Sequence, residues 1–465
     1  MQRHACNYLF DFEPIVGRIA FLETEHSFEW YDEASKTMEE MRSRTDATLM
    51  PMAEEIAARR AKDASSAAPA DTASIEPFLA SCIRAHDPWA GVALRLRQTL
   101  DRGLPATNAF AKMYEICSAV EEVKAVLSRH GTTLTPLKAA FLAELPALFP
   151  IAVIYYLGNF FPAFLQHNLF DYCGTSLPDG LTDQFSLVGE NGSKWHFMDH
   201  TSSSDTRKLI AELGGGKFDF VTGDIGKEVV NLWTKEREMF REELGQMVAA
   251  LALLKDGGLA VLKMFTVREY STACLLRLAI GLFDKVRIIK PFTSRIYNEE
   301  TYWILSGFKK PLFDPMLEPL LALMDTATAV LSSVTLPGSG GRTPIPFYRG
   351  FLSPANFDQD FIERMRRIFF ADLTRRMRCA EVGMAEFEQQ YDLILSMATS
   401  KEKIDPYAFQ VEIMKRLSRL MDEHAEKWRE MFPISQLGSI FYRVTGIPRP
   451  SVTGRGRRET RRPSP

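Results

Sequence analysis

The chain has little that would tie it together covalently or hold a metal. Its six cysteines (Cys6, Cys82, Cys117, Cys173, Cys274, Cys379) lie far apart, and none forms a Cys-x-x-Cys pair. That argues against a disulfide framework or a zinc site and fits a reducing compartment. There is no surplus of charge either: 56 Lys+Arg against 59 Asp+Glu give a net charge of -3, so a polyanion would have to be met by a local basic patch. An apolar leader is missing, because "MQRHACNYLFDFEP" turns acidic at once, and no secretory signal is expected. No unbroken apolar run is long enough to span a bilayer. The nearest, residues 141–165, contains Glu144, Asn159 and three prolines, whereas a span needs about 20 largely apolar residues.

What remains is an ordinary globular composition, 46% hydrophobic and 25% charged, with a length that suits about two to three domains. Residues 1–95 read as helical and irregular, and the Ala/Ser-rich stretch 53–74 reads as an exposed linker or insertion. Helical patterns follow at 96–125. "IAVIYYL" (151–157) is short, β-branched and aromatic, which predicts a strand buried on both faces. Strands are expected at 217–224, 259–265, 285–292 and 301–309, with helices over 235–258 and 270–283. This alternation predicts an α/β fold, a doubly wound sheet whose ligands sit beyond the carboxyl ends of its strands. Residues 311–445 read as a helical C-terminal region, and 446–465 as a basic, disordered tail carrying six arginines and one glutamate.

Three charged residues stand where apolar strands run out or are interrupted: Asp224 after "FDFVTG", Lys263 within "LAVLKMF" and Glu300 before "TYWIL". A lysine in a buried strand is costly unless paired or put to use. One such residue would read as a structural ion pair, whereas three could converge at one edge of a sheet. Lys112 lies upstream in the amphipathic "TNAFAKMYEI".

This series resembles the FtsJ-like RNA ribose 2'-O-methyltransferases, and among them the adrift-type cap methyltransferases, whose tetrad runs Lys, Asp, Lys, Glu. "LPATNAFAKMYEI", "FDFVTGDIG", "GGLAVLKMF" and "KPFTSRIYNEETYWI" are similar to the segments that carry it. The resemblance spans roughly residues 95–310. It implies a Rossmann-like methyltransferase domain at 96–310 between helical additions, with Lys112, Asp224, Lys263 and Glu300 as catalytic residues and Ser294 and Arg295 as substrate contacts. It also implies S-adenosyl-L-methionine as cofactor, RNA (capped mRNA) as substrate, and action in the nucleus or cytoplasm. Transfer to a ribose hydroxyl needs the 2'-oxygen aligned with a sulfonium methyl and its proton removed. Lys263 is expected to position or deprotonate that oxygen, with Lys112 tuning it. Trp89 is a candidate for stacking on a cap, or a core tryptophan. A protein partner could dock on the C-terminal helices.

The family's cofactor loop reads approximately Leu-Cys-Glu-Ala-Pro-Gly-Ala-Phe after the first strand. With 151–157 as that strand, the corresponding stretch is "LGNFFPAF", which makes Gly158, Asn159, Pro162, Ala163 and Phe164 cofactor contacts. Asp199 and Asp205, in "WHFMDHTSSSDTRKL", and Asp224 are the further contacts expected. Asn159, Phe161 and Pro162 depart from the family pattern, and that departure leaves open a second reading, a non-catalytic relative that binds RNA or a partner.

Overall fold

The computed structural model of the chain describes residues 19–20, 22, 27–28, 30–62, 76–101, 106–177, 194–227, 235–327, 330–335, 342–399 and 406–445. Seven strands form one sheet: β1 (Leu137–Leu142), β2 (Phe170–Ser176), β3 (Trp195–Phe197), β4 (Phe218–Gly223), β5 (Leu254–Met264), β6 (Phe283–Ile289) and β7 (Thr301–Phe308). Their order is β3-β2-β1-β4-β5-β7-β6. Strands β1 to β5 run parallel, and β7 lies antiparallel between β5 and β6. The order reverses between β1 and β4, the switch point at which an α/β sheet opens a crevice beyond its strand ends.

Side-chain alternation assigns the two faces. On β5, Ala260, Leu262 and Met264 enter one apolar layer, with the helices Lys235–Leu253, Tyr270–Leu282 and Gln359–Gln389. Leu259 and Val261 enter the other, with the helices Asn108–Ala119, Leu148–Phe160 and Ser418–Met431. Lys263 shares the face of Leu259 and Val261, as does its register partner Tyr302 on β7. The helix Asn108–Ala119, which carries Lys112, covers that face. It starts at Thr107, whose hydroxyl accepts the Ala109 N–H at 3.2 Å, a stabilising N-cap.

Helices from the two ends of the chain share a third apolar cluster. Leu49, Met52 and Ile56 pack with Phe78 and Cys82 and with Phe387, Ile394, Phe409 and Ile413. A hairpin, Val330–Thr335 paired antiparallel with Arg342–Phe347, interrupts the helical C-terminal region.

Two expectations are corrected. "IAVIYYL" is not a strand but the middle of the helix Leu148–Phe160, buried from Leu148 through Gly158. A helix enclosed on all sides is apolar all round, so a short apolar run cannot separate it from a buried strand. The first strand is instead "LKAAFL". Residues 53–62 belong to the helix Tyr31–Lys62 rather than to a linker; residues 63–74 and the tail 446–465 lie outside the described residues. Among the described residues no helix is long and apolar enough to cross a membrane.

Candidate active site

Two lysine–carboxylate pairs meet at the carboxyl ends of β4 and β5. Lys263 Nζ donates to the Asp224 carbonyl oxygen at 2.8 Å and pairs with Asp224 Oδ1 at 3.0 Å. Lys112 Nζ pairs with Glu300 Oε1 at 2.6 Å. The Tyr302 hydroxyl lies between the pairs, 3.1 Å from Glu300 Oε1 and 3.3 Å from Asp224 Oδ1, and Ser294 Oγ donates to Glu300 Oε1 at 3.2 Å. Gln246 fixes the loop after β4 to β5: its Oε1 accepts the Ile225 N–H and its Nε2 donates to the Lys263 carbonyl. The four residues expected as a tetrad are thus brought together, with Ser294 buried beside them and Arg295 exposed on the same loop.

The charges set one another. Burial alone would raise the Glu300 carboxyl, but Lys112 and Lys263 outweigh it and hold it well below the usual carboxylate range. Burial disfavours the Lys112 ammonium, yet Glu300 and Asp224 overcome that and raise its pKa above an ordinary lysine. Lys112 therefore stays charged. Burial also pushes the Tyr302 hydroxyl well up, with Asp224 and Glu300 acting in the same direction, so it remains a donor.

Buried acceptors frame this centre. One turn beyond Lys112, Glu115 accepts the Phe292 and Thr293 N–H groups at 2.6 and 2.9 Å, the Thr293 hydroxyl at 2.5 Å and Trp428 Nε1 at 2.8 Å. One carboxyl thus ties the Lys112 helix, the Ser294 loop and a C-terminal helix together. Lys290 Nζ donates to Asn298 O, Asn298 Oδ1 and Glu300 O at 2.8, 2.6 and 2.8 Å, and Arg376 pairs with Glu299 at 2.9 Å. Trp89 packs on Phe292, ring centroids 5.0 Å apart, and edge-on to His424.

Beside the pairs lies a cleft of about 550 Å³ lined by Ala143–Pro146, Leu148, Ser176, Leu177, Asp199–Thr201, Asp224–Lys227 and Lys263. The turn after β1 forms one wall. Its residues, Leu142-Ala143-Glu144-Leu145-Pro146-Ala147-Leu148-Phe149, repeat the family loop with the glutamate, proline and phenylalanine in place. Ala147 stands where that loop has glycine and is left-handed, φ 67. Glu144 is buried, its Oε1 has no hydrogen-bond partner, and burial followed by Asp224 raises its carboxyl well above the ordinary range. Thr175 Oγ1 accepts the Ala143 N–H and lies 2.7 Å from His200 Nε2; burial pushes the His200 ring down to about 4, so it is neutral.

The structure does not bring Gly158, Asn159, Pro162, Ala163 or Phe164 to this cleft. The helix that starts at Leu148 on the cleft wall carries Gly158 about 15 Å along its axis. There a Cβ on Gly158 would meet Leu437 at 2.7 Å. Asn159 Oδ1 accepts the Ser435 N–H at 2.8 Å, Pro162 opens a short helix, Ala163 is exposed and Phe164 is in the core. Gly158 and Asn159 meet the C-terminal segment at Leu437 and Ser435, and the departures at 159–162 do not bear on what the cleft can hold. Asp199 lines the cleft, its Oδ1 taken by the Thr201 N–H and hydroxyl. Asp205 lies in the first turn of the helix Ser203–Leu213, which Ser202 caps: Ser202 Oγ accepts the Asp205 N–H, and Asp205 Oδ2 accepts the Asp199 N–H. Sequence reasoning missed Tyr302, Glu144, Glu115 and His200; the Glu-x-Tyr spacing and the Glu-x-Pro in 144–146 were the available signals for the first two.

The FtsJ-like methyltransferase family model matches residues 181–308. The cap-specific mRNA (nucleoside-2'-O-)-methyltransferase 2 of Danio rerio is 29% identical over 256 residues, 50% of this chain and 32% of the relative. The cap-specific mRNA (nucleoside-2'-O-)-methyltransferase 1 of Trypanosoma brucei brucei is 35% identical over 130 residues, 28% of this chain and 31% of that one. A third relative, named "Probable methyltransferase EP424R", of African swine fever virus, is 25% identical over 256 residues, 50% of this chain and 56% of that protein. The chain thus spans about a third of the first two relatives and about half of the viral one. Residues 181–308, which carry Asp224, Lys263 and Glu300, thus match an FtsJ-like methyltransferase.

Proposed function

We propose that the chain methylates a ribose 2'-hydroxyl of RNA, at a cap-proximal nucleotide, using S-adenosyl-L-methionine. The single observation that carries this reading is the pair of lysine–carboxylate contacts joined through Tyr302 at the mouth of the cleft. A 2'-hydroxyl distinguishes RNA from DNA at such a site.

The cleft suits the cofactor. Its volume lies in the range of small-molecule sites, and the buried Glu144 Oε1 without a partner is an acceptor for the cofactor's ammonium. The Glu144–Leu148 turn, His200 and Asp199 would form the rest of the pocket. When bound, S-adenosylmethionine supplies an electrophilic methyl group.

The chain's residues do the rest. Lys263 has two contacts to Asp224, which leaves its third donor position for the attacking oxygen. Lys112, kept as an ammonium by Glu300, stabilises negative charge developing on that oxygen. Asp224 and Glu300 hold both amines against tilting, and Tyr302 and Ser294 orient Glu300. Lys263, donating through all three N–H bonds, orients the oxygen but cannot take its proton, and the 2'-hydroxyl proton passes to solvent water in the open cleft.

Calorimetry with S-adenosylmethionine, followed by methyl transfer to short capped and uncapped RNAs, tests the reading. Binding and transfer to capped RNA are expected. Absence of binding at millimolar cofactor with RNA present would overturn the proposal.

A further inference from the structure

A further lysine stands at this site with no hydrogen-bond acceptor and no close ion pair among the described residues. Lys235 opens the helix Lys235–Leu253, and its Nζ lies 4.9 Å from the centroid of the Phe265 ring. Phe265 is the second residue after Lys263. Its carbonyl accepts the Thr301 hydroxyl, next to Glu300, and its ring packs with Ile225 and Ala143, both on the cleft wall. Lys235 is thereby held beside the reactive centre.

The neighbouring amines are occupied. Lys263 is held by Asp224, Lys112 by Glu300, Lys290 by three oxygens, and Lys227 by Glu242. Among the described residues Lys235 has no hydrogen-bond acceptor and no close ion pair, only the Phe265 ring. Its position is unfavourable: a cation in the first turn of a helix opposes the helix dipole. Burial, and then the charge of Lys263, lower its proton affinity. A half-buried cation that feels the like charges of Lys263 and Lys112 as well as the carboxylates of Glu300 and Glu299, with no close countercharge among the described residues, is stabilised by an anion that arrives from outside.

We infer that Lys235 binds a backbone phosphate of the RNA, the one flanking the ribose presented to Lys112 and Lys263. This rests on the proposed reading of the site as one that accepts RNA. The ammonium contributes a charge-assisted contact, and the Phe265 face below keeps it from withdrawing into the protein.

The test is binding, measured apart from methyl transfer. Fluorescence anisotropy with a labelled capped RNA of about ten nucleotides, over a range of salt, is compared for the wild type, Lys235→Met, Lys235→Arg and the surface control Lys208→Met. Lys235→Met is expected to weaken binding about tenfold and to lower the slope of log affinity against log salt by about 0.7, the value of one single-strand phosphate contact. Lys235→Arg should restore most of the affinity, Lys208→Met should change neither quantity, and calorimetric S-adenosylmethionine binding should be equal in all four. Unchanged RNA affinity and slope in Lys235→Met overturns the inference. So does an equal loss of S-adenosylmethionine binding, which would make Lys235 a wall of the cofactor cleft, and so does a wild type that binds no RNA. Lys235-dependent binding by a protein that transfers no methyl group sinks the proposed activity and leaves the phosphate contact standing.

Discussion

Trp428 Nε1 donates a hydrogen bond to Glu115 Oε1 at 2.8 Å, joining residues 313 positions apart. The contact makes the C-terminal helix Ser418–Met431 part of the frame that holds Lys112 and the Ser294 loop. Trp428→Phe keeps most of the buried ring and deletes the donor. It should lower stability by about 1–2 kcal/mol, the order of one buried hydrogen bond. Methyl transfer should fall while S-adenosylmethionine affinity is unchanged. Urea denaturation and calorimetry check the two parts.

Burial raises the Glu115 carboxyl to about 7, against four hydrogen bonds that lower it. The folded chain therefore holds this proton more tightly than the unfolded one does. The stability that results is complete below the ordinary carboxylate range and is lost as pH rises through about 7. Other groups titrate in the same span, so the comparison is with Glu115→Gln, in which they still do. The wild type should lose stability relative to Glu115→Gln between about pH 5 and 8, read from urea midpoints. A difference that stays constant with pH would contradict the assignment.

Breaking one buried pair should cost more than replacing it. Glu300→Gln leaves the Lys112 ammonium buried without its countercharge, a loss of about 3 kcal/mol. The double replacement Lys112→Met with Glu300→Leu should recover most of that stability and none of the methyl transfer. Thermal or urea unfolding beside an activity assay separates the two roles.

Ala147 holds a left-handed φ of 67 at the turn after β1. A left-handed conformation costs an L-residue about 1 kcal/mol, and glycine tolerates it. Ala147→Gly should therefore leave stability equal or slightly higher, and it should not weaken S-adenosylmethionine binding. A marked loss of cofactor affinity in calorimetry would show that the alanine methyl is a needed wall.

The tetrad was legible because charged residues in apolar strands are conspicuous: Lys263 has no ordinary reason to sit in "LAVLKMF". The strands after residue 217 were legible for the same reason, being short apolar runs set off by helices and glycines. The β1 turn was not. "LKAAFL" is a weak strand pattern with exposed Lys138, while "IAVIYYL" looked like the better strand and is a fully enclosed helix. Register then slid by fifteen residues (142 to 157), and the cofactor loop was sought where Gly158 and Asn159 meet Leu437 and Ser435 of the C-terminal segment. Glu115, His200 and Lys235 carry no pattern in sequence. Their meaning comes from partners distant along the chain or, for Lys235, from having no acceptor among the described residues.

The central claim is transfer to a ribose 2'-oxygen under the control of Lys263. The direct measurement uses S-adenosylmethionine with a labelled methyl group and a short capped RNA, either all-ribose or 2'-deoxy at the first nucleotide, followed by digestion to nucleosides and mass spectrometry. The account predicts a 2'-O-methylnucleoside from the all-ribose RNA alone, reduced at least about 100-fold in Lys263→Ala, the size of a lost acid–base or positioning contribution. No transfer by a wild type that binds both cofactor and RNA, or transfer undiminished in Lys263→Ala, would contradict it.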